Sequence, residues 1–290
     1  MKTLGLIYDR IRWEEKALAQ AAKKKGAQVL TIDAKTATLD SRAKPKEVQK
    51  DFGDIVLQRC ISYFRGQHVT AYLQFKGLNV INKHSVGETC GNKYLTTLAL
   101  EKAGVPTPRT MFAFTAESAK EAVEKLGYPA VLKPVVGSWG RGVAPLKDRD
   151  TASPMIELRE EMTGALNQIY YIQEMIKRPP RDIRTIAVGD RIVAAAYRYA
   201  PPEDWRTNVA RGGRTAPCKI TKELEDIALK AADAVGGGVL GVDAMESPDG
   251  IVIHEINNTV EFKGASQVNE TNIPEAIVNY VLSTAKRGLV

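Results

Sequence analysis

The sequence has little of the chemistry that would mark a disulfide scaffold or a zinc protein: three cysteines and three histidines in 290 residues. Cys60, Cys90 and Cys218 lie far apart with no Cys-x-x-Cys pair, which excludes a disulfide framework or a thiolate zinc site and leaves them as small buried fillers. His68, His84 and His254 are isolated, so oxygen ligands are the natural way to hold any metal. No apolar run approaches the roughly 18 to 20 residues that cross a bilayer. The start, Met1 to Tyr8, reaches Asp9 and Arg10 too soon for a signal peptide. A cytoplasmic protein with no membrane association is expected. There is also no internal repeat, no low-complexity segment and no long linker.

What is present is an ordinary globular composition, 44% hydrophobic, long enough for one large or two modest domains. Lys plus Arg number 41 against 34 Asp plus Glu, a net charge of +7 that favours encounter with something acidic. The basic residues are scattered and lack the aromatic interleaving of a stacking platform, so nucleic acid is not the expected partner. The densest run, Lys23-Lys24-Lys25, precedes Gly26 at the end of an amphipathic helix, where the helix dipole favours cations. Nucleotide phosphates and an acidic protein partner are the better explanations of the charge.

The apolar run 4–8, a helical stretch from Arg12 to Lys25 and a strand over 27–32 read as the start of a βαβ unit, with further strands at 54–57 and 79–82. Residues 1–85 therefore read as a small open α/β domain. A helix from Asn92 to Ala103 stops at Gly104-Val105-Pro106. A second α/β unit follows, with strands at 110–114 and 130–133 and a helix over 116–126. Beyond Gln168 the strands crowd together, at 169–174, 182–188 and 191–199, a spacing that predicts antiparallel pairing. After a helix over 221–235, strands 239–246 and 250–256 form a hairpin turning at Ser247-Pro248-Asp249-Gly250, and a last helix runs from Pro274 to Ala285. The division expected is 1–85, a central unit over 86–175 and a C-terminal antiparallel-sheet unit over 176–290.

Four groups of residues carry chemistry. Lys133 ends a strand and is followed by Gly137-Ser138-Trp139-Gly140-Arg141-Gly142; glycines let backbone approach phosphate and the ammonium neutralises it, although an ordinary hairpin loop has the same pattern. Asp243 sits on one strand of the last hairpin, with Glu255 and Asn257 two apart on the other, a set of two carboxylates and an amide oxygen that suits magnesium; a solvated polar sheet face is the plainer alternative. Between them, Gln173-Glu174-Met175-Ile176 ends a strand whose free backbone groups can read a purine edge, and Asp182 can accept a ribose hydroxyl. Arg184, Arg198, Arg206, Asn208 and Arg211 concentrate donors that clamp carboxylates and phosphoryl groups. Surface ion pairing is the plainer alternative for each arginine taken singly, and the preferred one for Arg214.

Taken in order, Lys93, Lys133 with its 137–142 loop, Gln173-Glu174, Asp182-x-Arg184, Arg206-Thr207-Asn208 and Asp243 with Glu255-x-Asn257 resemble the ATP-grasp superfamily over almost the whole chain. The resemblance implies an α/β (α+β) ATP-grasp fold with an N-terminal open pre-ATP-grasp domain, a lid-like central domain and a C-terminal antiparallel sheet. It also implies an ADP-forming ligase in which Lys93, Lys133 and the glycine loop contact ATP, Gln173 to Ile176 bind adenine and Asp182 binds ribose. Asp243, Glu255 and Asn257 would hold Mg2+, two ions in all. More narrowly, Tyr8-Asp9-Arg10-Ile11-Arg12, Arg59-Cys60-Ile61-Ser62, the Gly137 to Arg141 loop and the run Glu255-Ile256-Asn257-Asn258-Thr259-Val260-Glu261-Phe262-Lys263 are similar to the LysX and ArgX ligases of carrier-mediated lysine and arginine biosynthesis. That likeness implies a small acidic carrier protein, LysW, whose C-terminal glutamate side chain is activated and then joined to the amine of 2-aminoadipate or glutamate. Placement after the Asp182-x-Arg184 strand pair makes Arg206 with Arg211 the expected holders of the acyl phosphate, with Arg184 and Asn208 also expected as catalytic residues and Arg198, Asn258, Thr259 and Glu261 on the substrate side. A homo-oligomer is expected by the same analogy.

The 8–16 segment and Asn257-Asn258-Thr259 tilt the reading toward LysX, whereas Gly264 resembles ArgX and Asn92 stands where the family often has Asp. The two acceptors differ by one methylene, worth about 1 to 3 kcal/mol in a tailored pocket, so an enzyme using both is a third reading.

Overall fold

The computed structural model describes residues 2–207 and 212–285. Asn208 and Arg211 lie outside the described residues.

The chain opens with alternating strands and helices: β1 (Thr3–Tyr8), α1 (Trp13–Lys24), β2 (Gln28–Asp33), α2 (Pro45–Phe52), β3 (Ile55–Gln58), α3 (Tyr63–Phe75) and β4 (Asn79–Ile81). The four strands pair in parallel in the order β2-β1-β3-β4. Parallel sheets are covered on both faces, and β3 accordingly is apolar apart from its final Gln58 and buried throughout. Helices α4 (His84–Gly91) and α5 (Lys93–Lys102) follow, and Asn92 starts α5 by accepting the N–H groups of Tyr94 and Leu95 on its side chain.

A second sheet, ordered β5-β8-β6-β7, is built from β5 (Thr110–Ala113), β6 (Ala130–Lys133), β7 (Ala144–Leu146) and β8 (Tyr170–Glu174), with α6 (Ala116–Leu126) and α7 (Arg149–Glu160) beside it. Here the sequence reading needs a correction. The strand ending at Glu174 is antiparallel to its neighbours as expected, but these are β5 and β6 rather than the strand that follows it. The connection contains Pro179-Pro180, which forbids a tight hairpin, and the Met175 N–H donates to the carbonyl of Pro129, holding the strand end beside β6.

The third sheet, β11-β10-β9-β12-β13, consists of β9 (Arg181–Val188), β10 (Arg191–Tyr199), β11 (Arg214–Pro217), β12 (Val239–Ser247) and β13 (Gly250–Asn257), all antiparallel. One face packs on α8 (Lys222–Ala234) and α5 through Leu100, Leu224, Ala228, Leu240 and Ile253. The other shares a core with the first sheet: Leu4, Leu18 and Ile55 meet Ile186, Ala194 and Val239, closed by α9 (Lys263–Val268) and α10 (Ile273–Thr284). Phe262 anchors this joint. Its ring is fully buried, edge-on to Trp13 at 5.9 Å, while its N–H and that of Lys263 donate to Glu14. Truncating such a ring to alanine costs about 3 to 5 kcal/mol.

Candidate functional site

The site begins with a backbone irregularity. In the β12–β13 ladder Asp243 lies opposite Glu255 and Gly241 opposite Asn257, but Ala244 lies opposite Ile253, so His254 is an extra residue, a β-bulge. Strict alternation would put Ile253 and Glu255 on one face. The bulge resets the alternation, so that Ile253 and Ile256 enter the core while Glu255 and Asn257 turn with Asp243 into the cleft. The amide of Asn257 donates to Asp243 at 3.4 Å.

The carboxylates are held by cations from neighbouring strands. Arg184, opposite Asp243 on β9, forms a two-point bond to it. Arg198 on β10 grips Asp182 through two bonds of 2.7 Å and reaches Asp243 at 3.0 Å, and the Thr207 hydroxyl completes Asp182 at 2.5 Å. Burial opposes ionisation of Asp243, but Arg184 and Arg198 outweigh it and hold the carboxyl below its usual range. Burial likewise opposes ionisation of Glu255, and the ammonium of Lys93 at 3.3 Å reverses the balance. Both are carboxylates at neutral pH.

Two lysines face this acidic end. Lys93, first residue of α5, also donates to the carbonyl of Gly137 at 2.9 Å. Lys133, last residue of β6, donates to the Gln173 side chain at 2.5 Å and lies 5.9 Å from the Tyr171 ring centre. Burial, with Lys93 and Arg178 nearby, pulls Lys133 down to about 8 against the opposing pull of Glu255. The glycine loop follows Lys133 and meets Lys93 at Gly137. Trp139 takes a left-handed φ of 60° in line with Gly140 and Gly142. The loop is tied to its surroundings by Lys93 at Gly137, by Arg206 donating to the Gly140 carbonyl at 3.1 Å, and by the Trp139 indole donating to Glu261 at 3.3 Å.

A cavity of about 1550 Å³ brings together Gly137, Ser138, Trp139, Arg141, Arg184, Arg198, Asp243, Glu255, Asn257, Asn258, Thr259 and Glu261. A smaller one of about 80 Å³ shares the loop and the acidic pair and adds Lys93, Lys133, Gly140, Asp182 and Arg206. Gln173, Glu174, Met175 and Ile176 line neither. The reading of that strand end as a source of free backbone donors is corrected for two positions: the N–H of Glu174 donates to Arg109 and that of Met175 to Pro129. The Gln173 side chain is spent on Lys133, Thr110 and Tyr171.

Sequence reasoning missed Arg178 and His254, both in the wall of the smaller cavity. His254 is buried, pulled down to about 4 by burial and by Lys133, and neither ring nitrogen has a hydrogen-bond partner among the described residues. Its adjacency to Glu255 was the available signal, but alternation assigns neighbours to opposite faces and the bulge is not visible in sequence. The oxygen donors of Asp243, Glu255 and Asn257 fit magnesium in kind: hard, few and partly anionic. Among the described residues no group of three His, Cys, Asp or Glu side chains could hold a metal.

Comparison with known proteins agrees with this geometry. Residues 90–281 match the RimK-like ATP-grasp domain and residues 4–89 the LysX preATP-grasp domain. The chain is 39% identical to the alpha-aminoadipate–LysW ligase LysX of Sulfurisphaera tokodaii, covering 98% of this chain and 99% of that one. It is 34% identical to the glutamate–LysW ligase ArgX of the same organism, over 95% of this chain and 96% of the other. A RimK domain ATP-grasp protein from Sphaerobacter thermophilus shares the fold with a TM-score of 0.77 at 22% identity, covering 97% of this chain and 99% of that one. The chain belongs to the LysX and ArgX family of ATP-grasp ligases and is an ATP-dependent ligase.

Proposed function

We propose that the enzyme joins the amino group of 2-aminoadipate to the C-terminal glutamate side chain of a small acidic LysW-type carrier protein, in lysine biosynthesis. The observation that carries this is the meeting of Lys93, Lys133 and the glycine loop with Asp243 and Glu255 in one cleft, in a chain whose full-length relatives at 37 to 39% identity bear the name alpha-aminoadipate–LysW ligase. The glycine loop and the two lysines take the phosphates of ATP, Asp182 its ribose, and the 173–176 segment its adenine through groups other than the engaged N–H groups of Glu174 and Met175 and the Gln173 side chain. Asp243, Glu255 and Asn257 would hold one or two magnesium ions, whose positive charge offsets that of the phosphates.

A carboxylate oxygen of the carrier attacks the γ-phosphorus and ADP leaves, giving an acyl phosphate. The acceptor amine then attacks the carbonyl carbon and phosphate leaves with that oxygen. Lys93, Lys133, Arg184 and Arg206, with Asn208 and Arg211, steady the anionic groups. Arg198 keeps Asp182 and Asp243 in register, and Asn258, Thr259 and Glu261 face the incoming substrates. The three sheets are assigned to three domains, over 1–85, 86–175 and 176–290, and the net charge of +7 suits an acidic carrier. A homo-oligomer in the cytoplasm is part of the same reading.

A second reading, glutamate as acceptor, is favoured by relatives named ArgX at 32 to 34% identity. Mass spectrometry of the carrier after incubation with Mg-ATP and each amino acid tests both. A gain of one 2-aminoadipate residue supports the first, a gain of glutamate the second, and no gain with either removes the carrier from the account.

A further inference from the structure

Part of the wall of the large cavity is made by α3 and α4, and the two helices interlock. Gly87 and Gly91, one turn apart on α4, face Gln67 and Tyr63, one turn apart on α3. A Cβ on Gly91 would strike the Tyr63 ring, and one on Gly87 would lie 2.8 Å from the Gln67 amide nitrogen and 3.2 Å from that of Asn258. The glycines thus make room for a carboxamide that has no role in holding the helices together. Both polar side-chain atoms of Gln67 are buried, and neither has a hydrogen-bond partner among the described residues. A buried amide left unpaired is destabilising, and such groups call for a bound partner.

The neighbours indicate what that partner is. Asn258, the residue after the candidate magnesium ligand Asn257, lines the same cavity, as do Lys83 and Thr70. Asn258 is fixed there because its carbonyl accepts from Asn82 at 2.9 Å, and Asn82 in turn bonds the backbone of Val239 on both sides. Lys83 lies one turn before Gly87 and has no carboxylate partner among the described residues. Two amide donors and an ammonium suit a carboxylate.

We propose that Gln67, with Asn258 and Lys83, binds the side-chain carboxylate of the amino-acid acceptor and so sets the enzyme's preference for a dicarboxylic amine. This rests on the ligase reading above. Asn257 and the acidic pair line the same cavity, so an acceptor anchored by its far carboxylate has its amine free to reach the acyl phosphate.

The test compares two nucleophiles. Hydroxylamine traps the carrier acyl phosphate as a hydroxamate and has no carboxylate to be held, so its rate reports activation alone. Gln67→Leu is expected to raise KM for 2-aminoadipate or glutamate about tenfold or more with kcat little changed, while hydroxylamine is used at the wild-type rate. Gln67→Glu is expected to raise the same KM further, because like charges now face each other. In thermal melts the wild-type enzyme should be stabilised by the acceptor and Gln67→Leu should not, although its own midpoint is at least as high. An acceptor KM unchanged in both variants would overturn the inference, as would a fall in hydroxamate rate parallel to the loss with amino acids. Absence of hydroxamate from the wild-type enzyme with ATP and carrier would instead overturn the ligase reading on which it rests.

Discussion

At the end of the third sheet, Asp182, Arg198, Asp243 and Arg184 hold one another through buried, charge-assisted bonds on three adjacent strands. Across the cleft, the glycine loop is tied to the rest of the molecule by Lys93 and Arg206 at two carbonyls and by Glu261 at a half-buried indole. The first region is rigid because every strand that carries a charge is also in the ladder, and removing one charge strands another. The second can adjust, since its bonds come from flexible side chains and its glycines cost little to rotate. An ATP-dependent ligase that admits ATP and a carboxylate substrate, then excludes water, has reason to fix its charges on the sheet and leave the cover on a loop.

The sharpest way to break this contrast is at Glu255. Glu255→Gln keeps the shape and removes the charge, and ADP release should fall about 10³-fold, the scale of losing a principal electrostatic contact at a reacting phosphoryl group. A loss under tenfold would place the metal site elsewhere. Next is the rigidity of the sheet end: Arg198→Met should lower unfolding free energy by about 3 kcal/mol in urea titrations, the low end for breaking a buried pair because Arg184 and Thr207 still bond the two aspartates. A change under about 1 kcal/mol would mean that the network is not holding the strands.

The pH dependence joins the two regions. Lys133 is lowered to about 8 from 10.5, chiefly by burial, so its ammonium is lost from the folded enzyme before it is lost from the unfolded chain. Stability from this group therefore rises between about pH 8 and 10.5, where the unfolded state binds more protons. ATP binding moves the opposite way: kcat/KM for ATP should fall above about pH 8 as the charge facing the phosphates disappears. Lys133→Arg, which stays charged, should lack that limb, and a limb that persists belongs to another group. The smallest effect is expected on the loop. Trp139→Phe loses one exposed hydrogen bond and should raise KM for ATP only by a few-fold, about 1 kcal/mol or less. A hundredfold effect would show that the loop is as rigidly built as the sheet.

Much of the fold was legible because the signals were local. The strand at 130–133 and the helix at 116–126 have clean periodicity and clear stops, and both form as read. Helix α7 was not read although Asp148 and Thr151 cap it reciprocally; Pro154 inside it masks the pattern. Strand β11 is short and at the sheet edge, and α9 has only six residues. The partner of β8 was misread because pairing between distant strands leaves no mark in local spacing. At the site, the residue types and their order pointed to Asp243, Glu255, Asn257 and the two lysines, and the structure brings them together. What sequence could not supply were relations across strands: the bulge at His254, the grip of Arg198 on two aspartates, and the engaged N–H groups at Glu174 and Met175.

The central claim, that the carrier carboxylate is activated by transfer of the γ-phosphoryl group, is tested most directly by oxygen tracing. With ¹⁸O in the side-chain carboxylate of the carrier's C-terminal glutamate, ligation of 2-aminoadipate should place one labelled oxygen in inorganic phosphate, with ADP as the nucleotide product. Unlabelled phosphate, or label recovered in AMP, would contradict the account.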